Sequence, residues 1–311
     1  MRPAFAHIAR LARALRAWLG LVMLAGLAGC MSKAPGAGPP ARVALVIGNA
    51  AYENARPLNN PVNDAQDMCR ALRDLGFVAL CRTNVATRAE FGSLVDDYVS
   101  RLGPSTVGVV YYAGHGVQVN GANFLVPTKG QPAGSGASPV SALFGLDELF
   151  ERLRERPSRL NIIMLDACRT ELFEEGGRSG AGRATASPSA SASAGSTLVR
   201  ALQALPRSAS GLATIQGEAP PNTKVLYATA SKAAAFDGEG RNGPLTKHIL
   251  RHIATRDQPL ETFFNRVTGD VETETLRELA KRQSPFTYGS FAGKFCFNGC
   301  PGDAPPPPPA H

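Results

Sequence analysis

A three-layer α/β/α sandwich, with helices on both faces of a mostly parallel central sheet of about six strands, is the fold class the sequence predicts. Three observations carry the prediction. Asn161-Ile162-Ile163-Met164-Leu165 and Val107-Gly108-Val109-Val110-Tyr111-Tyr112 are short, β-rich apolar runs of the kind buried on both faces of a sheet. Each breaks at its C-terminal end into a polar tip, Asp166-Ala167-Cys168-Arg169 and Ala113-Gly114-His115-Gly116. Segments of helical period alternate with such runs, which calls for parallel strands joined by helical crossovers.

Taken in order, Arg42 to Gly48 reads as the first buried strand. After a loop from Asn49 to Pro61, Ala65, Met68, Cys69, Leu72 and Leu75 follow the helical period, and Gly76 closes the helix. Phe77 to Cys81 is the next strand. Thr87 to Leu102 is a second helix, with Thr87 and Glu90 spaced as a capping box. The run from Val107 follows, and Val117 to Val126, with Asn120-Gly121 at its centre, reads as a β-hairpin. Leu146 to Arg156 is helical and feeds the run ending at Cys168. Val225 to Ala230 reads as a further central strand, Leu245 to Ile253 and Leu260 to Lys281 as helices, and Gln283 to Phe297 as a closing extended segment.

The 311 residues, 44% of them hydrophobic and 19% charged, are ordinary for a globular chain with a sizeable core. Half of the formal charge of +8 comes from Arg2, Arg10, Arg13 and Arg16, in a leader without acids. The rest carries no basic run with interleaved aromatics, so a nucleic-acid partner is not expected. Residues 1–29 have the plan of a signal peptide: a basic start, then an apolar run from Trp18 to Ala28 too short to span as a stable membrane helix. Leu27-Ala28-Gly29-Cys30 resembles the lipobox of bacterial lipoproteins. The resemblance implies cleavage before Cys30, a lipid on that cysteine, and an exported protein tethered to a membrane and facing the periplasm. Residues 30–41, rich in Pro, Gly and Ala, read as the tether, 42–297 as the folded domain and 298–311 as a tail with a Pro305 to Pro309 spacer. Within the domain, 173–210 changes to Gly, Ser and Ala and reads as a disordered linker or insertion.

A lone cysteine after a strand reads first as a small buried hydrophobe, and a lone histidine as a hydrogen-bonded rim residue. Here the two come as a pair, on strand tips that neighbouring parallel strands would bring to one rim, where open α/β sheets place their chemistry. Gly114 and Gly116 flank His115 with no core to fill, and suit close approach of a substrate. Tyr112-Ala113-Gly114-His115-Gly116 and Asp166-Ala167-Cys168-Arg169 resemble the two active-site segments of the caspase-like peptidases, whose histidine lies about 50 residues upstream of the cysteine. Asp166, two residues before the cysteine, is similar to the metacaspase and paracaspase branch rather than to the Gln-Ala-Cys signature of caspases.

The resemblance implies a cysteine endopeptidase acting on polypeptides, with Cys168 as nucleophile and His115 as its acid and base. The oxyanion hole would be the backbone N–H groups of Gly116 and Cys168. Asp166 and Asp64 resemble the acidic pocket pair of enzymes that cut after Arg or Lys, although Asp64 also suits a helix N-terminus. Ser231 to Asn242 is implied as a substrate-groove edge, and 173–210 matches the position of a cleavable linker, with Arg178, Arg183, Arg200 and Arg207 available to a protease. From another class, a catalytically silent module of the same fold, tethered to recruit partners, is the alternative.

Four cysteines remain beyond Cys30 and Cys168. They allow three disulfide connectivities, of which Cys69 with Cys81 and Cys296 with Cys300 needs only local contacts, and reduced thiols remain an open reading. Gly238-Glu239-Gly240-Arg241-Asn242-Gly243 matches a dinucleotide-binding pattern, but Pro244 follows it and no βαβ unit returns with an acid. His248 and His252 lie one helical turn apart without a third ligand and read as a solvated helix face. No metal site or cofactor is expected, and neither calcium dependence nor oligomeric state is legible.

Overall fold

The structure is a computed structural model that describes residues 42–53, 55–129, 138–168, 208–210, 212, 218–229 and 240–301. The leader and Cys30, the tether, most of the 173–210 segment, Ser231 and the proline tail lie outside the described residues.

Five strands run parallel. They are β1 (Arg42–Gly48), β2 (Val78–Thr83), β3 (Val107–Val119), β6 (Leu160–Cys168) and β8 (Thr223–Tyr227), in the order β2-β1-β3-β6-β8. An antiparallel edge strand, β9 (Phe286–Ser290), closes the order beside β8. The sheet starts in β1, and the chain lays β2 on one side of it and returns to place β3 on the other. That reversal marks the carboxyl ends of β1 and β3 as the place where ligands bind in folds of this kind.

Alternation along the strands builds two cores. Ala44, Val46, Val109, Tyr111, Ile162 and Met164 face one side, against α1 (Pro61–Asp74), α4 (Pro244–Ile253) and α5 (Leu260–Leu279). Leu45, Ile47, Val110, Tyr112, Ile163 and Leu165 face the other, against α2 (Arg88–Ser100) and α3 (Leu146–Glu155). Apolar residues on both faces are why these strands read as continuous runs rather than as alternating ones.

Local chemistry fixes the ends. Pro61 begins α1, where its missing N–H costs no hydrogen bond. Thr87 caps α2 by accepting the N–H of Glu90 at 3.2 Å, while the Glu90 carboxylate takes the N–H of Ala86 at 2.7 Å, one residue earlier than a strict capping box. The β3 strand is longer than its apolar run, because it continues past the parallel sheet into a hairpin with β4 (Ala122–Leu125). Asn120 and Gly121 turn that hairpin with φ of 52° and 88°. Residues Ser208–Ser210, expected as the end of the linker, instead form β7, paired with Val117 to Val119 of β3. A two-residue strand, β5 (Phe144–Gly145), pairs with β4. Cys69 is joined to Cys81 and Cys296 to Cys300, with S–S distances of 2.04 and 2.08 Å.

His248 and His252 do not lie on a solvated face. His248 is 4% exposed and bonds Glu274 of α5 at 2.8 Å, and His252 bonds Asp270 at 2.8 Å. The two helices are antiparallel neighbours, so a one-turn pair on α4 meets a one-turn pair of acids on α5.

Candidate functional site

The rungs between β3 and β6 run from Val107 opposite Leu160 to His115 opposite Cys168, so the two polar tips share the last rung of the parallel sheet. At this rung β3 leaves the sheet. Gly114 has φ of 151°, and a Cβ there would come within 2.6 Å of the Tyr52 hydroxyl and 2.7 Å of the Tyr112 hydroxyl. Only glycine fits that approach. Gly116 is packed as closely: a Cβ would lie 2.8 Å from the Leu212 side chain, so this position has a packing reason of its own to be glycine.

His115 is 1% exposed. Its Nε2 lies 2.7 Å from the carbonyl oxygen of Arg56, in the loop that follows β1. A carbonyl can only accept, so Nε2 carries the proton and the lone pair of the neutral ring sits on Nδ1. Nδ1 is buried and has no hydrogen-bond partner among the described residues. Burial pushes the imidazole down from 6.5 to about 4, partly offset by the Arg56 carbonyl and reinforced by the Arg56 charge. The ring is thus held neutral, in one tautomer, with Nδ1 as its base atom.

Both acids bond the start of α4. Asp64, in the first turn of α1, is 3% exposed. It accepts the N–H of Gly243 at 3.1 Å and the Asn242 amide at 2.9 Å. Asp166, 8% exposed at the end of β6, accepts the Thr246 hydroxyl at 2.6 Å. Gly243 is the N-cap of α4 and Thr246 lies in its first turn, so both carboxylates are held at one helix N-terminus, where the macrodipole favours negative charge. Asp67, one turn beyond Asp64, takes a two-pronged bond from Arg241 at 2.9 and 3.0 Å. That guanidinium holds the Asp67 carboxyl below the usual carboxylate range.

Arg56, Tyr52, Asp67 and Arg241 were not singled out from the sequence. Asp67 was legible as a neighbour of Asp64 three residues on. The Arg56 contribution was not, because a backbone carbonyl leaves no mark in residue identity. Among the described residues no group of three or more His, Cys, Asp or Glu is arranged to hold a metal ion.

A mostly parallel α/β sandwich carrying a histidine and a cysteine on its last central rung is the arrangement of a caspase-like fold. The chain belongs to the caspase-domain family: the family model for the caspase domain, a peptidase family, matches residues 41–296. Human mucosa-associated lymphoid tissue lymphoma translocation protein 1 is 29% identical over 130 residues, 41% of this chain. The mouse homolog matches equally, and the match spans only 15% of either relative's length. Among solved structures, pro-Sf-caspase-1 shares the fold with a TM-score of 0.55 at 11% identity, over 84% of this chain and 91% of that one. Protein GSU0716 of Geobacter sulfurreducens does so with 0.52 at 19%, over 81% and 94%.

Proposed function

We propose that the protein is a cysteine endopeptidase that cleaves polypeptides after Arg, with Lys second, using Cys168 and His115. The observation that carries this reading is the shared last rung of His115 and Cys168, together with an Nδ1 that has no partner among the described residues, on a ring whose other nitrogen is committed to Arg56. Nδ1 accepts the thiol proton of Cys168, and the thiolate adds to the scissile carbonyl. Backbone N–H groups of Gly116 and Cys168 hold the oxyanion. The imidazolium returns its proton to the departing amine, leaving a thioester. Water, deprotonated by the same nitrogen, then releases the acid and restores the thiol. Asp64 and Asp166 supply the negative charge that selects a basic side chain before the cleaved bond.

The test uses the full chain in detergent, with and without calcium, on matched fluorogenic peptides ending in Arg, Lys or Asp. Arg cleavage that disappears in Cys168→Ala supports the reading, and Asp cleavage sinks the pocket assignment. No turnover by folded protein whose Cys168 resists alkylation would leave a silent module. Asp64→Asn and Asp166→Asn are expected to raise KM for the Arg peptide about tenfold or more, with less effect on kcat. The same proposal tethers the chain to a membrane by a lipid on Cys30, supported by the leader sequence. Cys30→Ala would then move the protein from the membrane fraction to the soluble one.

A further inference from the structure

His115 stands where β3 departs from the sheet, so its backbone groups lose their regular partners. The Asn49 N–H still bonds the Ala113 carbonyl at 2.9 Å, extending the β1 ladder by one step. The chain then turns away, and the next donor on β3, the N–H of His115, meets no strand. The Tyr52 hydroxyl accepts it at 2.7 Å. The Tyr52 ring lies against the His115 imidazole, centroids 4.4 Å apart and planes at 45°. Tyr112 caps the other side of the residue: its hydroxyl donates to the His115 carbonyl at 2.7 Å and lies 3.3 Å from the Tyr52 hydroxyl. That carbonyl has a second donor, the N–H of Val126 at 3.1 Å.

We infer that Tyr52 is a positioning residue for the catalytic histidine, its hydroxyl standing in for a missing strand and its ring setting the plane and dryness of the imidazole. The inference rests on the proposed peptidase reading for its consequence, but not for its geometry. Tyr52 and Arg56 come from one loop, so that loop holds His115 at its backbone N–H, its ring face and its Nε2. Among the described residues His115 also meets Tyr112 on its own strand, Val126 after β4 and Cys168 on the neighbouring rung. Of all these only Arg56 carries a fixed charge, and it opposes protonation of the ring.

The experiment pairs kinetics on an Arg peptide with NMR titration of the histidine side chains, of which the chain has only five. The titration reads the His115 tautomer and pKa whether or not the protein turns over substrate. Tyr52→Phe keeps the ring and removes the acceptor. It is expected to lower kcat about tenfold with KM within about twofold, and to leave the acid limb of the pH profile in place. Tyr52→Leu uncovers the ring, and the His115 pKa is expected to rise by about one unit or more toward 6.5. Tyr112→Phe is the matched control: the carbonyl it caps keeps Val126, so kcat should fall less than about threefold.

Equal losses in Tyr52→Phe and Tyr112→Phe would overturn the inference in favour of general loosening of a buried network. So would wild-type kcat in Tyr52→Phe, or an unmoved His115 pKa in Tyr52→Leu. A wild-type protein with no turnover would sink the peptidase reading alone, since a shifted His115 titration in the Tyr52 variants would still support the positioning role.

Discussion

Burying an imidazole costs the protein its protonated form, and the Arg56 carbonyl on Nε2 recovers only part of that cost. The sign of the pH dependence follows. His115 is lowered to about 4 from 6.5, so between these values the unfolded chain binds a proton that the folded one refuses. Stability contributed by the neutral ring is complete above pH 6.5 and is lost as the pH falls toward 4, a loss on the order of 3 kcal/mol. Urea melts from pH 7.5 to 4 should show this decline, and His115→Gln should flatten it. For catalysis the same shift predicts that kcat/KM on an Arg peptide holds well below pH 6.5, because the base stays unprotonated there. An acid limb at 6.5 would mean that the ring opens to water before it works. At this scale the sequence was half legible. The side chains of His115, Cys168, Asp64 and Asp166 stand out in the sequence, whereas the Arg56 carbonyl that sets the His115 tautomer and the Tyr52 hydroxyl that takes its backbone N–H belong to an irregular loop, with no periodicity to expose them.

At the scale of elements, helix placement was readable because cores impose period. Ala65, Met68, Cys69 and Leu72 of α1 and Phe91, Val95 and Tyr98 of α2 are the buried positions that the spacing of apolar residues marks. The length of β3 was not readable, since the hairpin that extends it looks, in sequence, like a separate element. One helix–sheet contact is testable in detail. The Tyr98 hydroxyl is buried with no hydrogen-bond partner among the described residues, directly above Gly108. A Cβ at Gly108 would come within 2.3 Å of that oxygen. Gly108→Ala is therefore expected to cost about 1–3 kcal/mol through overpacking. Tyr98→Phe removes an unpaired buried hydroxyl and should be neutral or stabilising by up to about 1 kcal/mol. Because the clash is with the deleted oxygen, the double variant should recover most of the Gly108→Ala loss. Strict additivity in chemical denaturation would show that the alanine is resisted by something else, with Leu102 as the next nearest atom.

At the scale of the whole molecule, one covalent link binds α1 to the sheet. Cys69 lies on α1, the helix that carries Asp64 and Asp67, and Cys81 lies on β2, the open edge of the sheet. The bond closes a loop of separation 12, and constraining a loop of that size in the unfolded chain is worth about 3 kcal/mol in the chain-entropy model. For a domain of this size that corresponds to roughly 6–12 °C in Tm. Cys69→Ala with Cys81→Ala should show the loss, and the wild type heated with a thiol reductant should lose at least as much, since the reductant also opens Cys296–Cys300. The activity consequence is asymmetric. His115 and Cys168 sit on β3 and β6, central strands that do not depend on the edge, while Asp64 is carried on the helix that the link restrains. Loss of the link should therefore raise KM for an Arg peptide before it lowers kcat, measured well below the new Tm. A reductant that leaves the Tm of the wild type unchanged would mean that the two cysteines are thiols in the folded protein. Equal effects on kcat and KM would mean that α1 and the central rung move as one body.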